Sequence, residues 1–291
     1  MHVMPTALFV LLWSSGAIFS RWGLNHASPF VFLALRFTVA LVLLALLGRG
    51  PRGWLPERGT RARVAGTGLL LVGGYSNAYF LAMDHGLTPG ALATVLGVQP
   101  IATLVLQERR FPLGRLAGLL LALAGLALVV ADSLRQASVS TAGVLWALVA
   151  LACITTGAMA QKRIEQPPLR VLPLQCAVAL LLSLALLPTQ PLRFEPGPGL
   201  WVPVLWLGGV ISVAATVLLY RMLRAGNLVN VTSLFYLVPG GTALLDWLVL
   251  GNRMAPRSLA GLALVVAGLL LVFRLRGDGR GGAQGSPATP R

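Results

Sequence analysis

The residues able to do chemistry in this chain are few, and most of them sit inside long apolar runs. Asp246 is the acid placed well within such a run, and an ionisable group there costs several kcal/mol facing lipid, so it turns to a cavity or to a partner. Thr232, Tyr236, Pro239, Ala243 and Asp246 recur every three or four residues, which sets them on one helical face between flanks of Leu, Val and Phe. That stripe either packs helices closely or lines a cavity, and Asp246 favours the cavity. Tyr75 and Tyr79 lie one turn apart after Gly73-Gly74. Gln99 and Thr103 are similarly spaced beside Pro100, whose ring frees a carbonyl one turn earlier. Pro239 repeats that arrangement, so Pro100 and Pro239 are expected hinges. Ser14-Ser15-Gly16 and Thr155-Thr156-Gly157 form matched polar centres, whose hydroxyls either bond back to their own helix or face the same cavity. The expected lining is therefore Trp13, Ser14, Tyr75, Tyr79, Gln99, Thr103, Thr156, Tyr236 and Asp246. Arg36, about seven residues into its run, reads as a structural ion pair or polar contact.

This is the chemistry of binding and proton exchange rather than of bond making. His2, His26 and His85 are scattered without ligand spacing, so no metal is expected. Cys153 and Cys176, each inside an apolar run, read as small buried hydrophobes. No nucleophile is paired with a base, so the chain reads as a non-enzyme without cofactors, and a membrane-embedded enzyme is the disfavoured reading from another class. The absence of a GxxxxGK[ST] loop argues against direct drive by ATP.

The elements that must position these groups are membrane helices. The residues are 56% hydrophobic and 11% charged, with mean hydropathy +0.81, a balance that no soluble surface would tolerate. Ten runs are long enough to cross a bilayer, approximately 4–20, 29–48, 64–83, 88–107, 112–131, 141–161, 171–188, 200–220, 227–250 and 256–273. All should be α-helical, because lipid offers an unpaired amide no partner and the alternation of a barrel is missing. The first keeps no basic leader and is broken by Trp13-Ser14-Ser15, so it reads as a retained helix rather than a cleaved signal.

The chain writes one stretch twice. LAGLLLALAGLALV at Leu116 to Val129 returns as LAGLALVVAGLLLV at Leu259 to Val272. At the same offset of about 140 residues the polar centres of the first and sixth runs match, as do Gly86 with Gly226 and Pro100 with Pro239. The expected organisation is 1–135 as a first five-helix repeat, 139–276 as a second, and 277–291, rich in Gly, Pro and Ala, as a disordered tail. The net charge of +15 gathers between the apolar runs: seventeen Lys and Arg lie in one set of alternate connections and five in the other, leaving Arg36 inside a run. The charge therefore sets orientation and meets headgroups rather than nucleic acid, and puts both termini in the cytoplasm. Five helices per repeat then make the second half enter the membrane inverted.

The stretch TVLLYRMLRAGNLVNVTSLFYLVPGGTALLDWLVLGNRMAPRSLAGLALVVAGLLLV resembles the end of an EamA-type transporter of the drug/metabolite superfamily. Trp13-Ser14-Ser15-Gly16 and Leu35-Arg36-Phe37 resemble that family's first and second helices. Two places depart from its pattern: Asn252 stands where the second Leu-Gly-Glu turn has its acid, and Gln107-Glu108 follows Pro100 at a shorter spacing than in the second copy. The resemblance implies an all-α membrane protein of ten transmembrane helices, two inverted five-helix repeats around a central cavity, in a bacterial inner membrane. It also implies export of amino acids or similar small metabolites by alternating access. A carrier of drugs or nucleotide-linked metabolites is the alternative, although nucleotide cargo would want several cations inside the bundle. The expected partners are a small-molecule substrate and the lipid bilayer, with no nucleic acid; a monomer is plausible, and the oligomeric state stays open.

Overall fold

The computed structural model describes residues 3–48, 54–108, 111–131, 140–242 and 256–275. Asp246, Ala243, Asn252 and the tail 277–291 lie outside them. Within the described residues the chain is helical, with one isolated antiparallel bridge between Ala27 and Phe194. We number the helices α1 (Val3–Leu24) and α2 (Pro29–Leu47), then α3 (residues 61–84), α4 (Pro89–Gln107), α5 (Leu113–Val129) and α6 (Thr141–Lys162). They continue as α7 (Pro168–Leu186), α8 (Pro198–Ala225), α9 (from Leu228 to residue 242) and α10 (Pro256–Arg274). Seven of the described helices are long and apolar enough to cross a membrane, and α5 is a shorter apolar helix of 17 residues.

Proline opens α2, α4, α7, α8 and α10, where its fixed φ suits the first turn and its missing N–H loses nothing. Side chains cap others: the Thr88 hydroxyl accepts from Ala91 N, that of Ser140 from Gly143 N, and the Asn227 carboxamide from Asn230 N. Gly86, at φ 94°, turns the chain out of α3 while Leu87 N donates to Ala82 O. The outside of the bundle is apolar, with Leu106 61% and Leu181 65% exposed, which is a surface made for lipid.

Departures from α geometry recur at corresponding places in the two halves. α3 carries a π segment at Leu69–Gly74 and α8 one at Trp206–Ala215. α4 is interrupted between Leu96 and Gln99, just before Pro100, and α9 tightens to a 3-10 turn at Leu234–Tyr236, just before Pro239. Inserted or lost turns are where a helix bends and where backbone groups are left for other partners.

The twice-written stretch packs against itself. A Cβ placed on Gly125 would come 2.6 Å from the Gly261 carbonyl, and one on Gly261 would come 2.6 Å from the Gly125 carbonyl. Gly118 and Gly268 face each other in the same reciprocal way. Gly118 corresponds to Gly261 in the repeat, and Gly125 to Gly268, so each glycine of one copy meets the opposite glycine of the other. α5 and α10 therefore run antiparallel, and only residues lacking a side chain let their backbones come so near.

Polar groups inside the bundle are paired across helices. Asn77 Nδ2 donates to Gly73 O in the π segment and to Ser183 Oγ on α7. Tyr220 donates its hydroxyl to Gln175 Oε1, and Gln175 Nε2 donates to Gln161 Oε1, joining α8, α7 and α6.

Candidate functional site

A cavity of about 450 Å³ lies among the helices, within the range of roughly 300–1,000 Å³ that holds small molecules. Its walls come from α1, α2, α3, α4, α5, α6, α8 and α9, so both halves of the chain contribute. The lining reaches Pro89 at the start of α4 and Val130 beyond α5, toward the end of the bundle away from the chain termini. On the terminal side Trp13 and Phe235 meet edge to face at 5.4 Å, with Phe9 5.1 Å from Trp13. These rings form a floor.

Tyr75 and Tyr79 stand in the wall with ring centroids 5.7 Å apart, presented by the turn that follows the π segment of α3. Gln99, which starts the second part of α4, also lines the cavity; it is 2% exposed and its Nε2 meets no hydrogen-bond acceptor among the described residues. Trp13 and Pro239 complete the set of expected residues found here. Arg36 lies in the wall as well. Its Nε donates to Ser212 Oγ at 2.9 Å, and its guanidinium carbon is 5.5 Å from the Phe37 ring centre. Ser212 sits in the π segment of α8, so a second irregular stretch positions a cavity group. The polar contact expected of Arg36 is present, and among the described residues it forms no ion pair.

Several expected residues lie elsewhere. Ser14 is buried against α9, donating to Val10 O at 2.6 Å and Val238 O at 3.0 Å, while Thr242 donates back to Ser14 O at 3.0 Å. It ties α1 to α9 instead of facing the cavity. Thr156 is exposed on the outside of α6 and bonds back to Ala152 O at 2.7 Å; Ile154 is the α6 residue that reaches the cavity. Thr103 and Pro100 are buried in the second part of α4 and do not line it. Tyr236 packs into a separate apolar core with Leu104, Leu119, Val265 and Leu269. The 3-10 turn explains that last change. Its tighter winding rotates α9, so that Phe235, Val238 and Thr242 join Pro239 in facing the cavity while Thr232 and Tyr236 do not.

One polar cluster was not anticipated at all. Arg115, counted from sequence as a basic residue of a connection, is 1% exposed. Its Nη1 donates to both carboxylate oxygens of Glu108 at 2.6 and 2.7 Å, and its Nη2 donates to Asn227 Oδ1 at 2.9 Å and Asn230 Oδ1 at 2.8 Å. The cluster joins the α4–α5 turn to the start of α9, on the terminal side of the floor. A second tie lies near it: Lys162 Nζ donates to the carbonyls of Leu223, in the last turn of α8, and of Gly226, just past its end. The signal for the first was the seven-residue spacing of an acid and a base across the Pro112 turn.

Among the described residues no group of three or more His, Cys, Asp or Glu could hold a metal. A second, mostly apolar hollow lies between the first half of α1, the length of α9 from Asn227 to Gly241, and α10, lined by Thr6, Val10, Leu237 and Phe273 among others.

Residues 3–131 and again 141–274 match the EamA-like transporter family. The chain is 24% identical over 290 residues to a protein of Salmonella typhimurium (strain LT2) named as a probable amino-acid metabolite efflux pump, covering 92% of this chain and 94% of that one. A solved crystal structure superposes with a TM-score of 0.72 at 23% identity, over 94% of this chain and 97% of its own. At that identity the likeness concerns the fold alone.

Proposed function

The chain belongs to the EamA-like transporter family, and from that premise we propose that it is a secondary carrier exporting amino acids or similarly small metabolites across a bacterial inner membrane. The observation that carries the reading is the cavity itself. It is closed toward the termini by Trp13 and Phe235, walled by aromatic and aliphatic side chains, and built from both halves of the chain. A small, partly apolar solute fits such a space, whereas nucleotide-linked cargo would call for several cations, and Arg36 is the described cation of its lining.

Alternating access requires two halves able to exchange roles. The reciprocal pairing of Gly118 with Gly268 and Gly125 with Gly261 supports two repeats, 1–135 and 139–276, related by a two-fold axis across the helices. The paired π segments and the paired interruptions before Pro100 and Pro239 support the same relation, and the interruptions support hinges at Pro100 and Pro239. With both termini cytoplasmic, as the distribution of Arg requires, the cavity faces outward and the Arg115 cluster lies on the cytoplasmic side.

Uptake of a labelled amino-acid panel into proteoliposomes of the full chain, with and without a pH gradient, tests the function. Saturable uptake of at least one apolar or aromatic amino acid is expected. Protein that moves none of the panel above empty vesicles would overturn the assignment, and dependence on the gradient separates proton coupling from facilitation.

A further inference from the structure

We propose that Arg36 is the carboxylate-recognising group of the cavity, with the Gln99 carboxamide as a second polar contact, so that substrates are selected for a carboxylate attached to an apolar body. The inference rests on the cavity being the substrate site.

Arg36 sits in α2 well inside the bundle, and the lining described around it contains no Asp or Glu. A guanidinium in an apolar span must be met by something, because its hydration has been given up. Ser212 Oγ takes only Nε, at 2.9 Å, and the Phe37 ring lies beside the group. Both terminal nitrogens donate to no described residue. The contact with Ser212 fixes the plane of the guanidinium by its inner edge and leaves the outer pair of nitrogens as a fork, the shape that matches a carboxylate with two parallel hydrogen bonds.

Gln99 points to the same conclusion independently. A buried carboxamide N–H without an acceptor is costly, and this one stands in the cavity wall at 2% exposure. Its donor awaits an oxygen. Arg36 and Gln99 together present donors to an acceptor-rich group, while Phe235, Leu207 and Ile211 offer only apolar surface to the remainder of a ligand. A carboxylate, negatively charged and with two acceptor oxygens and no donor, answers this arrangement better than an amide or an ammonium does.

The test compares probes sharing one aromatic body: L-phenylalanine against L-phenylalanine amide, and 3-phenylpropionate against 3-phenylpropionamide, titrated by tryptophan fluorescence onto the full chain in nanodiscs. Each acid is expected to bind the wild type at least about tenfold more tightly than its amide, the weight of one charge-assisted hydrogen-bonded pair. Arg36→Gln should erase that preference by weakening the acids alone, and Arg36→Lys, which keeps charge without the fork, should retain part of it. Gln99→Leu should weaken the acids severalfold. Acids and amides bound equally by the wild type, or a folded Arg36→Gln protein that keeps the preference, would overturn the proposal. The wild-type comparison stands even where a variant misfolds. Flux of labelled L-phenylalanine in proteoliposomes separates the two claims: binding preference without flux counts against the carrier reading, and flux without preference counts against Arg36.

Discussion

Thr156 and Ser14 show what a single residue's type can and cannot announce. Both are hydroxyls at mid-helix, and both were expected in the cavity, yet one bonds back to its own helix on the outside of the bundle and the other clasps α9. Residue type marked them as polar centres, but a period of 3.6 leaves neighbouring positions about 100° apart, and which neighbour faces inward is decided by packing. Their substitutions should therefore differ in kind. Thr156→Val should leave transport intact and shift stability by no more than about 0.5 kcal/mol, as at other surface positions. Ser14→Ala should cost about 1 kcal/mol, the worth of its lost link to Val238, measured as a lower midpoint in thermal unfolding. An equal and large loss of transport in both would mean that these hydroxyls touch the substrate after all.

At the level of the element, helix positions were legible because long apolar runs admit only helices in lipid: the described helices overlie the expected runs, the ninth as far as residue 242, and seven of them are long and apolar enough to cross a membrane. The facing of α9 was not. A 3-10 turn at Leu234–Tyr236 has no distinctive residue pattern, so counting at 3.6 per turn carried the expected stripe one residue too far and put Tyr236 in place of Phe235. Arg115 was likewise hidden, since its burial depends on the chain folding back at Pro112 to meet Glu108 and then on Asn227 and Asn230 arriving from the other half.

Two consequences belong to this scale. Arg115→Ala leaves Asn230 Oδ1 without its donor and Glu108 with only the weaker contact from Asn227 Nδ2 at 3.3 Å, and should destabilise the folded protein by about 3 kcal/mol, the low end for a broken buried ion pair because Glu108 is partly exposed; Glu108→Gln in the same background should restore part of the loss. Additive losses in the double variant would mean that the pair is not coupled. Gly268→Leu drives a branched side chain into the Gly118 carbonyl and should force α5 from α10, costing about 1–3 kcal/mol or more, whereas Gly16→Leu, where nothing lies within 4 Å, should be far milder. Comparable midpoints for the two leucine variants would count against the close glycine contact.

For the whole molecule, duplication was the most legible feature, because one apolar stretch is written twice and the two copies turn out to be packed on each other antiparallel. The cavity's closure at one end was not legible, since Phe9 and Trp13, one turn apart on α1, meet Phe235 from the far half of the chain. The proposed orientation rests on Arg placement, and reporter fusions at Arg58 and Arg291 should both read cytoplasmic; a periplasmic signal at either site would reverse the direction in which the cavity faces.

The proposed path of the solute runs through the space beside Tyr79. In a background of Cys153→Ser and Cys176→Ala, Tyr79→Cys can be modified by a membrane-impermeant thiol reagent in proteoliposomes while uptake of the best amino acid of the panel is followed. Modification should abolish uptake, and that amino acid, added in excess, should slow the modification. Complete labelling at residue 79 with uptake unchanged, and at a rate indifferent to the amino acid, would contradict it.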